Sequence, residues 1–143
     1  MKSIRDNNII LIRLHPKENV IDSLISISKK YHLKTGVILS GIGQLTAITL
    51  GYFKEKGDYQ DQFFSNTYEL LSLNGSIIQQ HSTYLPHIHC VIGDMNKQTY
   101  GGHLIGATVK VTNEIVIMDT NLPAFRTKSE STGLMDLDFN IIE

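Results

Sequence analysis

The chain of 143 residues has a single cysteine, Cys90. That excludes an intramolecular disulfide framework and any Cys-rich zinc module. Charge of one sign is equally scarce, since 13 Lys+Arg against 14 Asp+Glu leave a formal charge of −1. A protein that holds nucleic acid or an anionic membrane by electrostatics carries a basic excess, and the nearest approach to a basic cluster here is Lys29-Lys30. Long hydrophobic runs are missing too. No stretch approaches the roughly 18 apolar residues of a bilayer-spanning helix. The run Ile9 to Ile12 ends at Arg13, too short for the apolar region of a signal peptide. A cytoplasmic protein with no membrane partner is therefore expected, and Asn74-Gly75-Ser76, a formal glycosylation acceptor, reads as turn chemistry.

What is present suffices for a core. Apolar residues make up 41%, which rules out global disorder. The length fits one domain over residues 1–143, with a core over about 5–120. Beyond Asn121 the chain is more polar, yet Leu134, Leu137 and Phe139 predict that this tail docks. Val20, Leu24, Ile27 and Tyr31 recur at helical spacing and predict one amphipathic helix over about 17–32, with Pro16 leading into its first turn. The rest reads as strands: Ile9 to Leu14, Val37 to Leu39, Leu45 to Phe53, Phe63 to Leu73, Ser76 to Gln80, Leu85 to Ile92, Tyr100 to Val109 and Glu114 to Met118. Turns are predicted at Lys56-Gly57-Asp58 and, as a hairpin, at Asn74-Gly75. One helix with many strands in hairpin order argues α+β with a mostly antiparallel sheet. Ile115 to Met118 is apolar at both parities, so both faces should be covered. One helix cannot do that alone, which points to a homo-oligomer.

The histidines carry the chemistry. His87 and His89 are two apart in a predicted strand and so share a face. If the following hairpin is centred near Asn96, paired residue numbers sum to about 192 and His89 faces His103. Opposed Cβ atoms lie ~4.5–5.5 Å apart and diagonal ones ~7–8 Å. Three neutral imidazoles on one face can bind zinc with a fourth position open, or they can be ordinary histidines filling hydrogen bonds. Cys90 should point to the opposite face, and His15, His32 and His81 should be surface residues. Gly101-Gly102, just before His103, marks either a close approach that opens space or a simple turn exit. Ser40-Gly41-Ile42-Gly43 lacks the third glycine and the helix of a dinucleotide fingerprint, so a bulge or bend is expected there. Glu69 shares parity with Leu71 and Leu73 and is a candidate general base or a partner at a subunit boundary. No G-x-S-x-G elbow is present, and no reaction is declared.

Taken together, the segments Ser40-Gly41-Ile42-Gly43, Tyr68 to Ser76, His87-x-His89, Gly101-Gly102-His103-Leu104 and Thr132-Gly133-Leu134 resemble the plants-and-prokaryotes-conserved (PPC) domain over nearly the whole chain. The resemblance implies an α+β homotrimer. It also implies that His87, His89 and His103 occupy the family's metal-binding positions, with zinc the expected ion, and that Glu69 occupies a characteristic acidic position. Prokaryotic members are single-domain proteins often labelled predicted DNA-binding proteins, while plant relatives carry the domain behind AT-hooks. The Arg-Gly-Arg-Pro core of an AT-hook is absent here. Three readings follow: a trimeric metal-binding domain, with a zinc-dependent hydrolase or hydratase as its extension; a DNA-binding regulator; and a trimeric scaffold.

Overall fold

The computed structural model describes residues 1–140. Strands β1 (Lys2–Asp6), β2 (Ile9–Leu14), β3 (Thr35–Glu55), β4 (Asp58–Phe64), β5 (Tyr68–Gln80), β6 (Thr83–Gly93) and β7 (Thr99–Thr120) form a seven-stranded sheet in the order β1-β2-β7-β6-β5-β3-β4. Every pairing in it is antiparallel. β7 also pairs with β3, so the circuit β3-β5-β6-β7 closes on itself. β8 (Ala124–Lys128) and β9 (Met135–Phe139) make a separate hairpin, and α1 (Val20–Tyr31) is the one helix among the described residues. The class is α+β, a mostly antiparallel sheet with one helix.

Closure depends on β3 and β7, 21 and 22 residues long. Each pairs with three neighbours, β3 with β4, β5 and β7, and β7 with β2, β3 and β6, which a strand of that length does only by bending. Register shifts in their shared ladder fall between Ile38 and Ser40, Gly43 and Leu45, and Thr46 and Thr49, as bulges do when they increase local twist. Gly43 has φ 144°, and a Cβ there would drive into the Thr112 carbonyl. The Ser40 to Gly43 segment is thus a bent strand packed on β7, as its lack of a phosphate-loop pattern predicts.

Alternation along the strands sorts the side chains. Ile10, Ile12 and Leu14 of β2, Ile115 and Ile117 of β7, and Ile88, Cys90 and Ile92 of β6 point inward, where Val20, Leu24 and Ile27 of α1 meet them. Each fully buried aliphatic side chain contributes about 1.5–3 kcal/mol. On the outer side, Ile4 of β1 pairs with Leu11 of β2, which pairs with Val116 of β7. Ile4 and Leu11 are 68% and 52% exposed, and Leu39 and Ile42 of β3 are exposed as well. An apolar stripe therefore crosses four strands uncovered by the described residues.

Several expected boundaries move. Val37 to Leu39 and Leu45 to Phe53 lie in one strand, β3, and Tyr100 to Val109 and Glu114 to Met118 in another, β7. The helix begins at Val20 rather than Lys17, because Pro16 and Lys17 lie in a turn, Lys17 at φ 74°. Asn19 is the N-cap, its side chain accepting from the Asp22 N–H at 3.1 Å. Phe63 to Leu73 is not one strand, since β4 ends at Phe64 and β5 starts at Tyr68. Asn74-Gly75 is not a hairpin turn either: β5 runs straight through it to Gln80, and the reversal comes at His81, φ 56°. Gly75 serves packing instead. It lies at φ 152°, and a Cβ there would collide with the His87 carbonyl of β6. Past Asn121 the contacts with β5 are made by polar groups. The Arg126 N–H donates to Gln80 Oε1 at 2.8 Å, Gln80 Nε2 donates to the Arg126 carbonyl at 3.2 Å, and Leu137 and Phe139 remain exposed.

Replacing Gly75 with alanine should cost at least about 2 kcal/mol, through strain and collision together. Gly106→Ala has open space around its Cβ and no positive φ, so it should cost less than about 0.5 kcal/mol. Urea denaturation of the two variants checks the difference.

Candidate metal centre

β6 delivers His87 and His89 to one face, and the antiparallel register with β7 sets His89 opposite His103. That is the pairing the residue numbers predict. The three ring centroids form a near-equilateral triangle, with separations of 5.3 Å (His87–His89), 5.2 Å (His87–His103) and 5.4 Å (His89–His103). One nitrogen from each ring lies within 4.8 Å of the others. Cys90, one residue out of parity, is buried in the core on the other face at 3% exposure. Burial raises its thiol to about 11, so it stays neutral and takes no part. Of the remaining histidines, His32 and His81 are exposed and His15 is half-buried, and none joins the triangle.

Glycines shape the surroundings. Gly51 of β3 pairs with His103. It has no side chain to block the Tyr59 ring of β4, into which a Cβ at Gly51 would run. Tyr59 thereby stands edge-on to His103, centroids 6.3 Å apart. A Cβ on Gly102 would lie 2.9 Å from the Gly51 carbonyl, so the close approach, not a turn exit, explains that glycine. Gly51, Gly101 and Gly102 together with the three histidines line a cavity of about 860 Å³, in the range of small-molecule sites. Its far wall is apolar, with Tyr52, Phe53, Leu85 and Ile105. Over its rim the β8–β9 hairpin brings Arg126, Leu134 and Met135.

The donor set fits a borderline divalent ion. Tetrahedral zinc with Zn–N bonds of about 2.1 Å spaces its nitrogens about 3.4 Å apart, a closure of roughly an ångström that χ rotations of half-exposed rings supply. Among the described residues, no ring nitrogen of the three is tied up in a hydrogen bond to another group. Burial, with the Arg126 charge and the His89 ring adding to it, holds His87 below the ordinary histidine pKa. Burial and the two other rings do the same for His103, against an opposing pull from Asp61. Both are thus biased to the neutral form that ligates.

Glu69 lies elsewhere. It is exposed near the start of β5, accepts from Gln44 Nε2 at 2.7 Å, and pairs with Gly93 at the far end of β6. That end is four residues from His89, about 13 Å along the strand. Glu69 lines a different cavity, with Asn66, Asp94 and Lys97. Its parity with Leu73 is broken by the register shift between Leu70 and Ser72. Arg126, which the sequence reading passed over, is in the centre instead. A lone arginine in Ala-Phe-Arg-Thr-Lys carries no local signal, since only the docking of β8 on β5 brings it there.

Comparison with known proteins places these features in a wider group. The family model of the Plants and Prokaryotes Conserved (PCC) domain matches residues 1–121. Two curated relatives, the bifunctional protein GlmU of Synechococcus sp. strains JA-2-3B'a(2-13) and JA-3-3Ab, are 31% and 30% identical over 128 residues, 88% of this chain. Those residues are 19% and 20% of the relatives' own length, so the chain spans about a fifth of each. Among solved structures, a candidate DNA-binding protein from Bacteroides thetaiotaomicron superposes with a TM-score of 0.90 at 25% identity, over 96% of both chains. A metal-containing protein from Archaeoglobus fulgidus superposes at 0.80 with 25% identity, over 96% of this chain and 94% of its own. A plant- and prokaryote-conserved (PPC) protein from Pyrococcus horikoshii shares the fold at 0.81 and 24% identity, over 98% and 96%.

The depressed imidazoles have a pH consequence. Below an unfolded-state pKa of about 6.5 the unfolded chain binds more protons at His87 and His103 than the folded one. Their neutral burial is therefore tolerated in full above that pH and costs stability as pH falls through it. In chelator, the Tm should drop from pH 7 to pH 5, and His87→Gln with His103→Gln should flatten that slope. Scanning calorimetry of both proteins measures it.

Proposed function

The chain belongs to the Plants and Prokaryotes Conserved domain family, and from that premise we propose that it binds one zinc ion through His87, His89 and His103 as a homotrimer, with no reaction assigned to it. The observation that carries this reading is the convergence of three imidazoles within 4.8 Å on the wall of a cavity. Bound there, zinc would supply a Lewis acid, and three protein ligands would leave it a position for water or another ligand. His87 and His89 hold it from one strand and His103 from the next, so three points on two paired strands fix its place. Gly51, Gly101 and Gly102 would leave room beside such an ion, and the aromatic side chains of the lining would give it an apolar surrounding. The metal-containing relative from Archaeoglobus fulgidus supports the metal. The apolar stripe from Ile4 to Ile42 supports self-association, because exposed patches of this kind mark interfaces. Residues 1–143 then act as one domain, with the C-terminal hairpin docked beside the centre.

DNA binding is the second reading, and it rests on the description of the relative from Bacteroides thetaiotaomicron, like that of another from Ralstonia eutropha at 21% identity. With a charge of −1, the surface offers little phosphate neutralisation from which such affinity is built.

Atomic emission on protein purified without chelator should find about one zinc per chain. His89→Ala should retain less than about a tenth of it, since losing even an outer partner of a ligand costs 10–100-fold. Equal metal in both proteins removes the metal reading. Light scattering should give three times the chain mass, and a monomer removes the trimer. Duplex binding measured across a salt series decides the second reading, with no association at low salt ending it.

A further inference from the structure

We propose that Arg126 makes this centre a receptor for a small oxyanion, a molecule with an apolar body whose carboxylate or phosphate is shared between the metal ion and the Arg126 guanidinium. The inference rests on the metal reading above and adds the ligand class.

Arg126 is only 6% exposed, and a buried cation is among the most costly groups a fold can hold without a counter-charge. Its partners do not neutralise it. Nη2 donates to Ser76 Oγ at 2.9 Å and Nη1 to the Met135 carbonyl at 3.4 Å. The ion pairs among the described residues are Met1–Glu18, Arg5–Asp119 and Lys54–Asp58, so among those residues no carboxylate lies within pairing distance of Arg126. Asp136, on the neighbouring β9, acts on it only at longer range. The guanidinium is held rather than satisfied. Two hydrogen bonds orient the fork and leave donors over.

Its position says what those donors meet. Arg126 lines the same cavity as His87, His89 and His103, and a smaller adjoining one of about 440 Å³ with His87, His89 and Asp136. An anion entering the open coordination position is thus within the reach of both cations. A planar fork suits bidentate binding of carboxylate or phosphate oxygens. Tyr52, Phe53, Tyr59 and Ile105 in the same lining offer a good surface to an apolar or aromatic body. Arg126 also lies past residues 1–121 that match the family, whereas the three histidines lie inside them. The metal donors and the anion donor come from different parts of the chain.

The test uses the full chain loaded with Co²⁺, whose visible spectrum reports the fourth ligand. Benzoate and phenyl phosphate are titrated in, with phenol as the neutral control. At least one anion should shift the spectrum with saturation while phenol does not, and the tighter of the two identifies the oxyanion. Arg126→Met should bind equal cobalt and weaken that anion by at least about tenfold, the worth of a charge-assisted hydrogen bond. Should the methionine variant fail to fold, Arg126→Lys keeps the charge but loses the fork, and about threefold weaker binding is expected from it. A wild-type protein that takes up no cobalt removes the metal reading and this inference with it. A normal cobalt spectrum with no anion response, or with an equal response in wild type and variant, overturns the role of Arg126 alone.

Discussion

The pairing of β6 with β7, His89 against His103, is the constraint from which the rest of the centre follows. Side chains on a strand alternate with a period of two, so this one register decides which face each residue serves. It sends His87, His89 and His103 to the cavity and Ile88, Cys90 and Ile92 to the core. A slip by one residue would exchange the two sets, burying imidazoles and exposing aliphatics. The burial of Ile88 and Ile92 thus enforces the convergence of the rings, and the centre needs no separate device to assemble it.

Around that pair, the closed circuit of strands sets the walls. β3 and β7 are long enough to be shared between neighbours, and their bulges let the ladder close while carrying Gly51 up beside His103. On the other side, Gly75 lets β5 pass close under the His87 carbonyl. These three strands are central and paired on both sides, which makes the ring positions stiff. Arg126 is placed differently, by a two-stranded hairpin held to β5 through Gln80 and Ser76. A triangle set in the main sheet and an arm on a separate hairpin therefore meet at one cavity.

Local patterns in the chain were readable where they coincided with local geometry. The two-residue period of His87 and His89, the short polar turn before Thr99 and the helical spacing of Val20, Leu24 and Ile27 each belong to one element and its immediate neighbour. Asn74-Gly75 misled because glycine answers two needs with one residue type: tight reversal, and close approach of another backbone. Only the position of β6 tells which applies. Glu69 misled because the register shift near Leu71 breaks a parity that sequence alone treats as continuous. Arg126 was silent for a related reason. Its meaning comes from Gln80 and Ser76, 46 and 50 residues away, and no periodicity spans such a distance.

Cys90 sits one residue from His89 yet faces the core, its thiol raised to about 11 by burial. Sulfur so placed has almost no thiolate at neutral pH, and thiolate is the form that oxidants attack and soft ions seek. The three imidazoles beside it carry no sulfur for peroxide to oxidise. The parity of a single strand thereby keeps the sulfur of Cys90 out of the reach of oxidants.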